Sequence, residues 1–248
     1  FDGTLNDETG NIVGENINFN GSSQSISYIQ NRDNKPNKAL KLYNNSVVKY
    51  PGDIEALKFK DQAEFSISLW WKAEDLGFGN GDRYWVIGKM GAYRIFNDGN
   101  CRVDFHYNGG VGGVKLSLMP NCNNWNELGW NHFVVTGKTR LNSVSDTTDF
   151  KIYVNGKLAS TFQNLSVPFS LLSDGKITQD DPFFLGLDDP LTAQGGSTYQ
   201  GGIDDLAFYK KALSQEEILN LYNSTTSKGV LRNDVDFAND DLTVTLVQ

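Results

Sequence analysis

Hydrophobic and polar residues alternate along many short segments of this chain. In the clearest one, residues 64–72, Phe65, Ile67, Leu69 and Trp71 are separated by Ser66, Ser68 and Trp70. A period of two is typical of a β-strand, because successive side chains of a strand point to opposite faces. The predicted strands cover residues 39–43, 47–50, 64–72, 84–89, 92–96, 102–107, 114–118, 131–138, 149–154, 157–161, 183–187 and 202–209.

These strands recur roughly every ten residues with Gly or Asn between them, which favours an all-β sandwich or jelly roll with antiparallel pairing. Asn155-Gly156 predicts a type I′ turn between two of the strands. A single helix is expected near residue 215, where Ser214 and Glu217 have the spacing of a capping box. The apolar stripe of that helix consists of Ile218, Leu221 and Tyr222.

The composition narrows the classes of function. With 248 residues, 39% of them hydrophobic and 12% aromatic, the chain can bury one large core. Its net charge is −8 and it has no basic run, so nucleic acid is excluded as a partner. No apolar segment is long enough for membrane insertion. The chain begins at Phe1 without Met, and we expect a processed fragment of a secreted or cell-surface protein.

Five motifs, in order, resemble the laminin-G-like, concanavalin A-like jelly-roll modules of bacterial secreted and surface proteins. They are FDG with DETGN at 1–11, FSISLW at 65–70, WNHFVVT at 130–136, IYVNGKL at 152–158 and the run from GIDDL to the helix at 202–218. The resemblance implies a jelly roll with one short C-terminal helix. It is weaker evidence for function, because this fold is found in lectins, glycosidases, adhesion modules and linkers.

The last residues differ in character from the rest. Residues 223–229 are polar, and residues 230–247 combine an acidic loop with one strand pattern, too little for a separate domain. This run resembles the opening of bacterial cadherin-like repeats. We therefore assign residues 1–223 to the jelly-roll domain and residues 224–248 to a linker and the start of a further repeat. The alternative is a final edge strand of the main domain.

Motifs for catalysis are absent from the sequence. Glycoside hydrolysis on such a sheet needs two facing carboxylates, as in an E-x-D-x-x-E strand, and no such run occurs. The G-x-S-x-G elbow and the H-E-x-x-H zinc motif are also missing. We expect a non-catalytic module that binds a glycan or cell-surface ligand, beside other domains of the same polypeptide. The alternatives are a glycan-degrading hydrolase or lyase domain and a structural spacer without a ligand.

Calcium is the expected cofactor, because the N-terminal loop is rich in the oxygen ligands that it prefers. The resemblance implies that this loop packs beside the strand of Asp204 and Asp205, where calcium often bridges the two in such modules. Alternation along a strand would let only one of these two carboxylates face the site. The alternative is that these residues only form Asx-turns and solvated strand ends. The candidate ligands are Asp2, Asn6, Asp7, Asn11, Asp204 and Asp205.

A carbohydrate site would combine aromatic platforms with planar amides near loops. The alternative is that these aromatic residues belong to the core, as most do in a sandwich. The candidates at strand ends and in loops are Tyr84, Trp85, Tyr107, Asn108, Asn123 and Trp125.

Cys101 and Cys122 are the two cysteines of the chain, too few for a metal site of thiolates alone. In a secreted protein we expect them to form a disulfide, and the alternative is two buried free thiols.

Overall fold

The computed structural model describes residues 1, 3–7, 10–18, 25–43, 45–54, 57, 64–74, 84–89, 92–97, 103–107, 114–118, 129–140, 147–165, 181–187 and 197–224. The first strands are β1 (Glu15–Asn18), β2 (Ser27–Ile29), β3 (Ala39–Leu42), β4 (Ser46–Tyr50), β5 (Glu64–Ala73), β6 (Tyr84–Lys89), β7 (Tyr93–Asn97) and β8 (Val103–Tyr107). They are followed by β9 (Val114–Leu118), β10 (Asn131–Arg140), β11 (Thr147–Val154), β12 (Lys157–Leu165), β13 (Phe183–Leu185), β14 (Ser197–Thr198), β15 (Gly201–Tyr209) and helix α1 (Gln215–Asn223).

The strands form two sheets. Sheet I has the order β1-β4-β13-β6-β7-β8-β9, with β14 paired in parallel to β6. Sheet II has the order β12-β11-β10-β5-β15-β3-β2, and all its pairs are antiparallel. The chain is therefore an antiparallel β-sandwich with one short helix, and the predicted fold class is confirmed.

The core lies between the two sheets. The alternating residues of β5 that were predicted to share a face, Phe65 to Trp71, point into it and are buried. Sheet I contributes Tyr93, Ile95 and Phe105 from the opposite side. The rings of Phe65 and Tyr107 stack at a centroid distance of 5.8 Å. Each such side chain contributes roughly 1.5–3 kcal/mol by leaving water, so this layer supplies most of the drive to fold.

Three short strands, β1, β2 and β14, were not predicted from the sequence. Their sequences, ENIN, SYI and ST, are too short or too polar to show alternation. β1 is a strand because it pairs with β4 over four residues, from Glu15 opposite Lys49 to Asn18 opposite Ser46. Tertiary pairing outweighs local propensity at such edges.

The predicted turn and helix are both confirmed. Asn155 and Gly156 have φ angles of 50° and 74°, as a type I′ turn requires. The backbone N–H of Glu217 donates to Ser214 Oγ at 3.2 Å, and that of Ser214 donates to Glu217 Oε2 at 2.7 Å. Helix α1 places Ile218 against the outer face of sheet II, the face turned away from sheet I. No helix in the described ranges is long and apolar enough to cross a membrane.

Gly201 opens β15, and its backbone leaves no room for a side chain. A Cβ there would collide with the carbonyl oxygen of Lys72 and lie 2.6 Å from the Tyr199 hydroxyl oxygen. Gly3 also has a positive φ, of 80°, but no atom lies within 4 Å of its Cβ position. A comparison of substitutions at Gly3 and Gly201 therefore distinguishes the cost of backbone strain from the cost of a steric collision.

We predict that Gly201→Ala lowers the free energy of unfolding by about 3 kcal/mol or more, because backbone atoms of β5 and β15 must move apart. Gly3→Ala should lower it by only about 1 kcal/mol, the cost of the left-handed backbone. Urea denaturation of both variants measures the difference. Equal losses would contradict the collision.

Candidate functional site

The outer face of sheet II carries a buried charged cluster, which we call the Arg32 cluster. Two strands supply its floor, since Trp70 on β5 and His132 on β10 are opposite each other in the register. Their rings stack at 5.0 Å, and the Arg32 guanidinium lies 4.5 Å from the centroid of the Trp70 ring. The cluster comprises Arg32, Trp70, His132, Asp204, Asp205 and Tyr222.

Arg32 is held by a loop that asparagine side chains shape. Asn31 Oδ1 accepts hydrogen bonds from the backbone N–H groups of Asp33 and Lys35, both at 3.0 Å. Asn34 and Asn37 adopt positive φ angles of 59° and 57°, which asparagine tolerates better than most residues. Arg32 therefore enters the cluster from a defined turn. Its Nη2 donates to the carbonyl oxygen of Ser224, just after α1, at 2.9 Å.

Both aspartates of β15 face Arg32. Nη1 of Arg32 donates to Asp205 Oδ2 and lies 3.7 Å from Asp204 Oδ2. Alternation along the strand predicts that only one of the two carboxylates faces the site, and that prediction is wrong. The reason is a β-bulge, since Asp204 is opposite Trp70 but Ala207 is opposite Ser68, and Asp205 has a φ of 43°. A bulge inserts an extra residue, which turns the second carboxylate to the same side.

Burial changes the ionisation of this cluster. Asp204 is 0% exposed. Desolvation and the neighbouring Asp205 carboxylate raise the pKa of Asp204 to about 7, although the Arg32 charge acts to lower it. Desolvation raises the pKa of Asp205 as well. At His132, desolvation and the Arg32 charge lower the pKa to about 3. The imidazole is therefore neutral near neutral pH, and its Nε2 shares a 2.9 Å hydrogen bond with Ser68 Oγ.

The outer face of sheet I carries a second group, which we call the Arg94 cluster. Arg94 on β7 is opposite His106 on β8 and opposite Gly88 on β6. The guanidinium carbon of Arg94 lies 4.8 Å from the centroid of the Trp85 ring. The cluster comprises Trp85, Arg94, Phe96, Asp104 and His106.

A hydrogen bond fixes the orientation of the Arg94 guanidinium relative to the His106 ring. Arg94 Nε donates to His106 Nδ1 at 3.1 Å. Since Nδ1 accepts, the neutral imidazole carries its proton on Nε2, and this atom is buried. The rings of His106 and Phe96 pack edge to face, with their centroids 4.6 Å apart and their planes at 87°. Arg94 and His106 are both half-buried, while Trp85, Phe96 and Asp104 around them are buried.

The chain matches a known protein family over most of its length. A family model described as the concanavalin A-like lectin/glucanases superfamily matches residues 44–219, well over half of the chain. The chain belongs to this superfamily. The predicted resemblance is thus confirmed. A search of the curated proteins finds no match.

Solved structures of low identity share this fold. Domain 4 of AbnA, a GH43 extracellular arabinanase from Geobacillus stearothermophilus, solved in complex with arabinotriose, is 20% identical with a TM-score of 0.54 and covers 88% of this chain and 93% of that one. The binding domain of Paraclostridial Mosquitocidal Protein 1 is 17% identical with a TM-score of 0.57, covering 90% of this chain and 50% of that one. The receptor binding domain of botulinum neurotoxin D is 14% identical with a TM-score of 0.54, covering 88% and 51%. At these identities the likeness shows the fold alone, and the chain spans about half of each toxin chain.

The predicted carbohydrate residues of this superfamily member fall into four groups. Tyr107 is 0% exposed and stacks in the core, so its prediction as a platform is wrong. Trp85 is 8% exposed and Arg94 lies over its ring, so it supports Arg94 rather than offering an open surface. Tyr84 is half-buried and packs against the core. Asn108, Asn123 and Trp125 lie outside the described residues.

The predicted calcium residues are also spread over different surroundings. Asp7 is buried and its Oδ1 accepts from the backbone N–H of Ile12 at 2.8 Å, while Asn6 and Asn11 are exposed. The start of the chain does reach β15, since the Phe1 nitrogen lies 4.0 Å from Asp204 Oδ1. Among the residues described, no three His, Cys, Asp or Glu side chains come together to hold a metal. Asp2 and both cysteines, Cys101 and Cys122, lie outside the described residues.

Arg32, Arg94 and His106 are not among the site residues that were predicted from the sequence. Alternation alone places Arg94 and His106 on the outward side of their strands. What the alternation does not provide is the register that sets them opposite each other and beside Trp85. For Arg32 the loop sequence around it, NRDNKP, indicates only turns.

We predict opposite pH dependences for two variants of the Arg32 cluster. The raised pKa of Asp204 makes the native state bind more protons between the ordinary value of 3.8 and about 7, so this group lowers stability as pH rises there. The lowered pKa of His132 makes the unfolded state bind more protons between about 3 and 6.5, so this group raises stability with pH. In Asp204→Asn the free energy of unfolding should rise with pH, because only the His132 effect remains. In His132→Gln it should fall with pH, because only the Asp204 effect remains. Each change should be on the order of a few kcal/mol.

Chemical denaturation at a series of pH values between 3 and 7.5 measures both slopes. Asp149→Asn is the control, because Asp149 pairs with Arg140 at an exposed position. Its profile should match that of the unchanged protein. Slopes of the same sign in the two cluster variants would contradict the assignment.

Proposed function

We propose that the chain is a non-catalytic, extracellular carbohydrate-binding or adhesion module of a larger secreted or surface protein. The observation that carries this proposal is the membership of the chain in the concanavalin A-like lectin/glucanases superfamily, together with a similar domain that was solved with arabinotriose. Within the described part of the chain, the centre of the outer face of sheet II is occupied by α1 and the Arg32 cluster.

The named ligands of similar structures support a glycan as the ligand class. The arabinanase domain was solved with arabinotriose, and the match extends over 93% of that domain. Another similar structure, 14% identical, comes from a study of ganglioside-dependent cell entry by botulinum neurotoxin type C. These proteins are larger than this chain or are parts of larger ones, which supports a module working beside other domains.

A catalytic role finds less support on the described part of the outer face of sheet I. Glycoside hydrolysis needs two carboxyl groups about 5–10 Å apart. The register puts Glu15 and Asp104 on this face, on β1 and β8, which are five strands apart in the sheet. At about 4.8 Å per strand, they are about 24 Å apart. We therefore favour binding over hydrolysis.

A screen of the purified chain against neutral and acidic oligosaccharides tests this function, with reducing-end release measured in parallel. We predict saturable binding to at least one glycan class and no release of reducing ends. Release of reducing ends would favour the hydrolase alternative. Absence of binding across the panel would favour a structural spacer.

Calcium is also part of the proposal, at the end of β15. Asp204 Oδ2, Asp205 Oδ1 and Asp33 Oδ2 are buried without a hydrogen-bond partner. The three carboxylates therefore exceed the two positive groups beside them, the Arg32 guanidinium and the Phe1 nitrogen. A calcium ion would supply the missing charge, with Asp204 and Asp205 as its carboxylate ligands. The described residues do not complete such a site by themselves, and the remaining oxygens would come from elsewhere in the chain or from water.

We predict that removing calcium lowers the melting temperature and that added calcium, but not magnesium at equal concentration, restores it. The reason is that an ion bound only by the native state stabilises that state. Thermal unfolding after dialysis against a chelator measures the shift, and Asp204→Asn should abolish it. An unchanged melting temperature in protein shown to be metal-free would mean that Arg32 balances the carboxylates without calcium.

A further inference from the structure

One end of the outer face of sheet II, beyond the Arg32 cluster, carries a further set of aromatic and charged side chains. Gly202 points to this face, because the next residue of β15, Ile203, lies in the core. The register sets Gly202 opposite both Lys72 of β5 and Lys41 of β3. The position between the two lysines is therefore bare backbone.

Trp130, the residue before β10, places its ring over that bare position. A Cβ at Gly202 would lie 2.7 Å from Trp130 Cη2 and 3.2 Å from Ile29 Cδ1, so the glycine lets the indole lie close to the sheet. Trp130 is half-buried. Its Nε1 has no hydrogen-bond partner among the described residues and is not one of the buried polar atoms, so this edge of the ring reaches solvent. The Trp130 platform comprises Ile29, Lys41, Lys72, Glu74, Trp130 and Gly202.

The charged side chains beside the ring differ in what they contact. Lys41 Nζ lies 2.7 Å from Glu74 Oε1 and 4.8 Å from the centroid of the Tyr43 ring. This ion pair holds the carboxylate of Glu74, an exposed residue directly after β5. Lys72 Nζ has no hydrogen bond or ion pair with any residue in the described ranges, and it is not buried. The Trp130 platform therefore presents an oriented acceptor, Glu74, and an accessible donor, Lys72.

This combination of groups suits a sugar ring. A pyranose with equatorial hydroxyls has faces made of C–H groups, which pack on an aromatic ring, and sugar sites combine such rings with a few oriented polar groups. A carboxylate accepts hydrogen bonds from sugar hydroxyls, and an ammonium donates to them. The two lysine positions are two strand spacings apart, about 10 Å, which is the span of one to two sugar rings.

Charge favours a neutral sugar over an acidic one. The chain has a net charge of −8, and the Glu74 carboxylate lies at the Trp130 platform itself, so an anionic glycan is repelled. We propose that the Trp130 platform binds a neutral pyranose glycan, with one sugar ring stacked on Trp130 and its hydroxyls contacting Lys72 and Glu74. This inference rests on the carbohydrate-binding function proposed above and adds the site and the class of sugar.

The experiment compares three kinds of oligosaccharide by isothermal titration calorimetry: neutral pyranose chains (gluco-, manno- and xylo-oligosaccharides), neutral furanose chains (arabino-oligosaccharides) and acidic oligogalacturonate. One of the neutral pyranose chains should bind most tightly to the unchanged protein. Trp130→Leu should weaken that binding about tenfold or more, because the sugar loses its stacking surface. Lys72→Gln and Glu74→Gln should each weaken it by up to about tenfold, because a hydrogen bond to a charged group is lost.

Lys151→Gln is the matched control for Lys72→Gln, because Lys151 is an exposed lysine on the same face of sheet II. The register places it in the row of Thr136 and Ser66, six residues from Lys72 along β5 and therefore about 20 Å away. It should bind like the unchanged protein, and thermal unfolding of all variants checks that they fold.

Two results would overturn the inference while leaving the carbohydrate-binding function intact. One is tightest binding of the furanose or the acidic chains. The other is binding of a pyranose chain that Lys72→Gln and Glu74→Gln leave unchanged, a result that does not depend on whether Trp130→Leu folds. Binding of no carbohydrate in the panel would overturn both the inference and the proposed function.

Discussion

The burial of two adjacent carboxylates on β15, beside a single arginine, constrains sheet II and everything attached to it. A charge taken out of water is costly unless a partner and hydrogen bonds replace the water. Arg32 provides the partner for Asp204 and Asp205, and it reaches them from a loop far away in sequence. The same guanidinium covers Trp70 and binds the carbonyl oxygen of Ser224. The loop after β2, the central strands and the end of α1 are thereby joined at one point.

The two outer faces of the sandwich differ because of this cluster. On sheet II the helix and the stacked rings of Trp70, His132 and Tyr222 cover the centre of the sheet. On sheet I the central strands instead carry Arg94 and His106, each half-buried. An aromatic ring lies under an arginine in both places, Trp70 under Arg32 and Trp85 under Arg94.

Much of the fold could be predicted from the sequence, because its signals are local. Alternation in β5, the Asn155-Gly156 turn and the Ser214–Glu217 capping box each depend on residues a few positions apart. The edge strands could not be predicted in this way, since β1 and β14 pair without any pattern of their own. The candidate site was harder still. Tyr107 and Trp85 are aromatic residues near loops, yet the core contains one of them and Arg94 covers the other.

The sequence by itself determined the fold class of this protein, an antiparallel sandwich with a capped helix. The reason is that the alternation of side chains and the formation of turns depend on residues that are close together in sequence. Only the tertiary structure decided which charges meet. The bulge in β15 turns Asp205 toward Arg32, and the register of β6, β7 and β8 sets Gly88, Arg94 and His106 in one row. Both depend on how strands slide past each other, and that register is fixed by burial of the whole core rather than by any one strand.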